Sequence, residues 1–121
     1  MILPNNPFDS SDVLWTKGAI VHELAHVWDT RQFFQPSSGM MYATKSYRHI
    51  CQKSQPRGVE SCYDYYDSTN AIEEAPTDYA KGTVFDDWAE SFRVFMYKGP
   101  SERQLKSIRR TYIEKIIQEL P

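Results

Sequence analysis

The most regular hydrophobic pattern in the chain lies between residues 10 and 31. Apolar or small residues recur there at spacings of four, three, four and three, which is the repeat of one helical face. They are Leu14, Gly18, Val21, Ala25 and Trp28. The Ser10-Ser11-Asp12 cluster supplies side chains that commonly accept a hydrogen bond at a helix N-terminus. The pattern predicts a helix from this cluster to about Arg31.

A second helix is predicted in the last third of the chain. It begins near Thr83 to Asp86 and ends at about Met96, before Gly99-Pro100, a pair that favours helix termination. One side of it is apolar and is expected to dock against the core. That side consists of Phe85, Trp88, Ala89 and Phe92.

A third helix is predicted to begin with Ser101 as its N-cap, because Gln104 follows at the spacing of a capping box. Its apolar residues recur with helical spacing and form ordinary packing surface. They are Leu105, Ile108, Tyr112 and Ile116, flanked by Ile113, Ile117 and Leu120. With three helices and no sustained strand pattern, the expected fold class is mainly α, and α+β at most.

Residues 36 to about 70 lack a sustained period and contain Ser-Ser-Gly and Pro-Arg-Gly. They predict a long loop region with room for one short helix or hairpin. Cys51 and Cys62 bracket a ten-residue polar segment in it, and the sequence leaves open whether they form a disulfide or stay free thiols. Without CxxC spacing they are poor metal candidates, and His49, which has no partner at ligand spacing, is interpreted as a surface residue.

The composition predicts one globular domain spanning residues 1–121. The chain has 121 residues, 14 Lys+Arg against 16 Asp+Glu, and a net charge of −2, which offers no general attraction to nucleic acid or anionic membrane. A helix that spans a membrane needs about 20 apolar residues, and no apolar run in the chain approaches that length. Met1-Ile2-Leu3-Pro4 lacks the basic and apolar regions of a signal peptide. Cellular location, including secretion, and oligomeric state stay open.

The segment His22-Glu23-Leu24-Ala25-His26 is an HExxH motif inside the first predicted helix. Residues four apart lie on one helical face, so both imidazoles can reach one zinc ion while Glu23 lies beside them. A catalytic zinc usually has three protein ligands and keeps the fourth position for water. A third ligand must therefore come from elsewhere in the chain.

The candidates for the third ligand are acidic. Residues 60–90 hold nine carboxylates and one lysine, so this stretch is where a cation is most readily held. Asp86 and Glu90 are four apart and share a helix face, so one can bind the metal while the other accepts a hydrogen bond from a ligand imidazole. Asp87 and Asp29, one turn beyond His26, are the remaining alternatives.

These motifs resemble a known family. HELAHVWD, followed about sixty residues later by Tyr79 and the segment DDWAESF, is similar to the gluzincin group of zinc metallopeptidases, and most closely to the anthrax lethal factor catalytic-domain family. The resemblance covers about a quarter of the chain. It implies a zincin-like core and these roles: His22, His26 and Asp86 as zinc ligands, Glu23 as general base, Glu90 as the carboxylate supporting a ligand histidine, and Tyr79 facing the substrate. Asp29 also matches an acidic residue that follows the HExxH in that family.

The chain departs from the family in two respects. The family has glutamate where this chain has Asp86, so the second helix must approach the metal more closely, or another residue is the ligand. Only about a dozen residues precede the first helix, too few for the sheet that zincins build there. We therefore expect little or no N-terminal sheet, in a truncated domain or in a minimal one whose cleft is supplied by residues 41–66.

The expected activity is zinc-dependent hydrolysis of a peptide or protein substrate, as in a metalloendopeptidase. Glu23 would accept the proton of the attacking water, and Tyr79 would donate a hydrogen bond to the developing oxyanion. One alternative is a zincin-like metal-binding module without independent activity, acting in binding or regulation or as a fragment of a larger protease or toxin. Another is a metal-free interaction domain.

Overall fold

The structure, a computed structural model, describes residues 10–31, 35–54 and 58–120, with the side chains of residues 10–16 and 31 left aside. These residues form a small mixed α/β domain of four helices and one two-stranded sheet. The elements are α1 (Ser10–Arg31), α2 (Pro36–Thr44), β1 (Tyr47–Ser54), β2 (Val59–Tyr66), α3 (Val84–Met96) and α4 (Ser107–Gln118), with a short 3₁₀ helix at Tyr79–Lys81. Among the described helices, none has the length and apolar character needed to cross a membrane.

Helix α1 lies where the sequence predicts it and packs against α3. The centre of this contact is Trp88, which is fully buried and donates its indole N–H to the carbonyl oxygen of Ala25 at 2.8 Å. Gly18 and Ala25 of the predicted stripe are buried, and Trp28 is half-buried. The side chain of Leu14 and those of the Ser10-Ser11-Asp12 cluster lie outside the described residues. Met40 of α2 and Ile113 of α4 complete the middle of the core.

Helix α3 confirms the prediction at both ends. Its N-cap is Thr83, whose hydroxyl oxygen accepts a hydrogen bond from the backbone N–H of Asp86 at 3.0 Å. Its last residue is Met96. A threonine before an apolar face and a Gly-Pro pair after it are local signals, so the neighbouring sequence is sufficient to set the limits of this helix.

The predicted start of the last helix is wrong. Ser101 lies in a turn closed by the hydrogen bond from Glu102 N to Gly99 O at 3.0 Å, and α4 begins only at Ser107. The cap comes from a distant residue, because the carboxylate of Glu73 accepts the backbone N–H groups of residues 108 and 109 at 2.7 and 3.0 Å. A carboxylate at a helix N-terminus satisfies free N–H groups and complements the helix dipole.

Residues 36 to about 70, predicted as a long loop with one short helix or hairpin, contain both a short helix, α2, and a β-hairpin, so only the expectation of a mostly irregular region is wrong. In the hairpin β1 and β2 pair antiparallel from Tyr47 opposite Tyr66 to Ser54 opposite Val59. Most of its side chains are exposed on both faces, so no alternation of apolar and polar residues marks the strands. The pairing places Cys51 directly opposite Cys62, and the two form a disulfide.

A buried arginine connects α4 to the rest of the domain. The guanidinium of Arg109 is fully buried and donates to Asp87 Oδ2 at 2.8 Å, Glu73 Oε1 at 3.2 Å and Ser46 Oγ at 3.0 Å. Burial lowers the pKa of Arg109, but hydrogen bonds and charges from Asp87 and Glu73 more than offset this and leave the pKa above its ordinary value. The arginine therefore stays charged and joins four segments of the chain.

Candidate metal centre

Helix α1 presents His22 and His26 on the face that meets α3. The two Nε2 atoms lie 3.1 Å apart, as expected for residues one helical turn apart. His22 is buried, with 8% of its surface exposed, and His26 is half-buried. From α3, Asp86 Oδ1 approaches to 3.3 Å from His26 Nε2 and 3.8 Å from His22 Nε2. The structure therefore brings together the three residues assigned as ligands from the sequence.

The spacing of these three atoms fits a tetrahedral zinc ion. Donors about 2.0–2.2 Å from zinc at tetrahedral angles lie about 3.3–3.6 Å from one another. The three distances between donors here are 3.1, 3.3 and 3.8 Å. The shorter reach of aspartate is sufficient because the Trp88 contact holds α3 close against α1.

The N-cap of α3 also orients Asp86. The Thr83 hydroxyl, which accepts from the Asp86 backbone N–H, donates to Asp86 Oδ2 at 2.9 Å. With Oδ2 held in this way, Oδ1 is the oxygen that faces the histidines. Thr83 was not recognised in the sequence as a site residue, although a threonine three residues before a ligand aspartate at a helix start is a visible signal.

We expect Thr83→Val to weaken both the helix and the metal site. Loss of the cap should lower the free energy of unfolding by about 1 kcal/mol. Loss of the hydrogen bond to Asp86 should lower zinc affinity about 10- to 100-fold, as for other residues that orient metal ligands. Urea unfolding and zinc titration measure the two effects. Thr83→Ser, which keeps the hydroxyl, is the matched control, and equal zinc affinity in both variants would contradict the orienting role.

Glu90 supports His22 rather than His26. His22 Nδ1 donates to Glu90 Oε2 at 2.9 Å, which leaves the lone pair of Nε2 facing the ligand group. Burial raises the pKa of Glu90. Hydrogen bonds from Arg93, His22 and Thr77 lower it by more than burial raises it, so the pKa lies below its ordinary value. The ionised carboxylate therefore fixes both the tautomer and the orientation of the imidazole.

Arg93 in turn holds the carboxylate of Glu90 in place. Its guanidinium donates to Glu90 Oε2 at 2.8 Å and to Glu102 Oε1 at 2.8 Å, so it lies between two carboxylates. The side chain also runs across α1 at Gly18, where an added Cβ would lie 3.3 Å from Arg93 Cδ. The hydrogen bond from Arg93 is the main cause that holds the pKa of Glu102 below its ordinary value. No sequence signal linked Glu102 to this site, because the contact depends on the turn at residues 99–102.

Glu102 should make the metal-free protein sensitive to acid. Because its pKa is depressed in the folded state, its contribution to stability is fully present above the ordinary pKa of a glutamate and is lost as pH falls through the lower folded value. Urea unfolding between pH 7 and pH 3 should show that Glu102→Gln loses less stability on acidification than the unaltered protein. Glu114→Gln, an exposed position on α4, is the control. Parallel pH profiles for the unaltered protein and Glu102→Gln would contradict this account.

The two remaining candidate ligands point to other partners. Asp29 is 1% exposed, and its Oδ1 accepts the backbone N–H of Ser37 at 2.8 Å near the start of α2. Asp87 accepts hydrogen bonds from Arg109 and from the Ser91 hydroxyl. Within the described residues, neither carboxylate groups with the two histidines, whereas Asp86 does.

A cleft of about 830 Å³ opens beside this centre. Glu23 is exposed at its wall, and Tyr79, 63% exposed, places its ring edge-on to His22 with 5.6 Å between centroids. The lining side chains come from α1, the 3₁₀ helix, α3 and the turn after α3: Gly18, Ala19, His22, Glu23, Tyr79, Glu90, Arg93, Tyr97, Lys98, Gly99, Pro100, Ser101 and Glu102. Residues 41–66, expected to supply the cleft of a minimal domain, do not line it.

Comparisons of the chain with protein-family models, with curated proteins and with solved structures found no match. The resemblance to gluzincins, and to the lethal factor family in particular, therefore stays a prediction from the motifs. The functional argument rests on the side chains themselves and on the distances between them.

Proposed function

We propose that the protein is a zinc-dependent peptidase that cleaves internal peptide bonds. The observation that carries this proposal is the convergence of His22 Nε2, His26 Nε2 and Asp86 Oδ1 beside the exposed Glu23. Two imidazoles and one carboxylate are a donor set typical of catalytic zinc sites. Three protein ligands leave one position open, whereas a structural zinc usually has four.

The mechanism assigns separate roles to residues around the cleft. Zinc bound there would lower the pKa of a coordinated water towards about 7 and polarise the scissile carbonyl. Glu23 accepts the water proton and passes it to the leaving amine, acting first as base and then as acid. Tyr79 donates a hydrogen bond to the negative charge that develops on the carbonyl oxygen. Glu90 keeps His22 in the tautomer that presents Nε2 as a ligand.

The cleft has the size of a ligand site. Its volume of about 830 Å³ falls in the about 300–1,000 Å³ range of small-molecule pockets. Glu23 and Tyr79 lie in its wall together with His22 and residues 97–102, so a peptide segment bound in the cleft would contact this turn and lie next to His22. The size of the cleft therefore supports a peptide as the substrate.

Metal removal tests the proposal directly. Cleavage of a quenched fluorescent peptide library should disappear after treatment with a chelator and return when one equivalent of zinc is added per chain. Elemental analysis should find zinc in the active samples. Tight zinc binding without cleavage of any peptide would instead support the alternative of a metal-binding module without independent activity.

A further inference from the structure

A second group of potential metal ligands lies on the β-hairpin, apart from the cleft. His49 and Cys51 alternate along β1 and Cys62 and Asp64 along β2, so all four side chains project from one face of the sheet. The register pairs His49 with Asp64 and Cys51 with Cys62. Pairing across the hairpin therefore brings the two cysteines together although they lack CxxC spacing along the chain.

The two cysteines are 11 residues apart in sequence, so a fully extended chain would separate them by at most about 36–40 Å. The hairpin register removes that separation by placing them directly opposite each other.

The donor atoms of this group already converge. His49 Nε2, Cys51 Sγ and Cys62 Sγ lie within 4.8 Å of one another. His49 Nδ1 lies 2.8 Å from Asp64 Oδ1, and Nε2 lies 3.4 Å from Cys51 Sγ. A histidine that donates one ring N–H to a carboxylate and turns the other nitrogen towards soft donors has the arrangement found around metal-ligating histidines.

We propose that the reduced hairpin is a second zinc site, formed by Cys51, Cys62 and His49 and oriented by Asp64. Two thiolates and one imidazole are preferred ligands of zinc. Glu60 lies on the same face, with Oε1 3.5 Å from Cys62 Sγ, and is available as a fourth donor. Neither this site nor its ligands depends on the proposed peptidase function, because none of these side chains lines the cleft.

The disulfide and the metal exclude each other because both use the same sulfur atoms. A dithiol reductant supplies two electrons and two protons, the Cys51–Cys62 bond breaks, and the reductant leaves as its own disulfide. Zinc then binds the two thiols as thiolates and displaces their two protons to solvent. Both cysteines are exposed, so a reductant can reach the bond in the folded protein.

A link between the two strands, whether the disulfide or the proposed zinc ion, also stabilises the hairpin. An isolated two-stranded hairpin is only marginally stable in water. Most side chains of β1 and β2 are exposed and therefore contribute little burial. The disulfide joins the strands in the oxidised protein, and zinc joins them in the reduced one.

Cobalt titration tests the second site, because a Co²⁺–thiolate bond gives a near-ultraviolet charge-transfer band that a site of two histidines and one aspartate lacks. The full chain is titrated with Co²⁺ in its oxidised form and after reduction with a phosphine, which does not compete as a thiol ligand. We expect the band only in the reduced protein, at one ion per chain, and loss of the band when zinc is added. A reduced protein without the band, or with one ion shared by two chains, would overturn the proposal.

Variants separate this site from the centre on α1 and α3. The double variant Cys51→Ser/Cys62→Ser should abolish the band, and Asp64→Asn should weaken Co²⁺ binding about 10- to 100-fold. His49→Ala should weaken it at least as much, and unchanged affinity in that variant would overturn the assignment of His49. His22→Ala should keep the band at full amplitude, so failure of the peptidase proposal and failure of this one give different results.

Discussion

Replacing Glu23 with glutamine is expected to remove nearly all peptide hydrolysis while zinc stays bound. Glutamine has the shape of glutamate but cannot accept the proton of the attacking water, and general acid–base catalysis typically contributes about 10²- to 10⁴-fold to a rate. Glu23 is exposed and is not one of the grouped ligands, so the fold and the metal affinity should be retained. Single-turnover cleavage of a peptide by zinc-loaded protein measures the loss.

Glu114→Gln is the matched control for this experiment, because Glu114 is also exposed but lies on α4 and does not line the cleft. It should cleave at the unaltered rate. Full turnover by Glu23→Gln with one zinc bound would exclude the proposed role of Glu23.

Asp86→Ala is expected to remove the metal. It deletes one of three protein ligands, so the loss of zinc affinity should exceed the about 10- to 100-fold cost of altering a residue that merely supports a ligand. The helix should survive, because Thr83 accepts the backbone N–H of residue 86 and that group is retained. Competition with a chromogenic chelator measures the affinity, and circular dichroism checks the fold.

Asp78→Ala controls for the loss of a carboxylate in the same acidic stretch. The Asp78 side chain is fully exposed and pairs with Lys81 at the surface, so its removal should leave zinc affinity unchanged. Equal zinc affinities in the Asp78 and Asp86 variants would mean that Asp86 is not a ligand and that the third ligand is another residue.

The parts of the fold that were predictable from sequence are those with local causes. Helix α1 has an apolar repeat, and α3 has a threonine cap and a Gly-Pro pair after it. The start of α4 depends on Glu73, which lies 35 residues before the first N–H group that it accepts. The hairpin was predicted only as one option within a long loop, because strands exposed on both faces carry no alternating pattern. The start of α4 depends on a contact with a distant residue, and the hairpin depends on pairing between strands. Neither can be recognised from a short stretch of sequence.

The residues of the candidate site also differ in whether the local sequence is sufficient to predict them. His22, Glu23 and His26 follow from spacing within one helix. The choice of Asp86 among four carboxylates depends on how α3 crosses α1, which the sequence indicated only through a family resemblance. Arg93 and Glu102 were not found at all, because their connection to Glu90 requires the turn after α3.

The contact between Trp88 and Ala25 has a consequence for the thermodynamics of the domain. The two helices that it joins are also the two that carry the candidate metal donors, so an ion bound there would be coupled to the packing of the core. A ligand that binds only the folded state at 100 times its dissociation constant adds about 2.7 kcal/mol to the free energy of unfolding. Zinc occupancy should therefore raise the melting temperature, and a core substitution that loosens the two helices should weaken the affinity for zinc without touching any ligand.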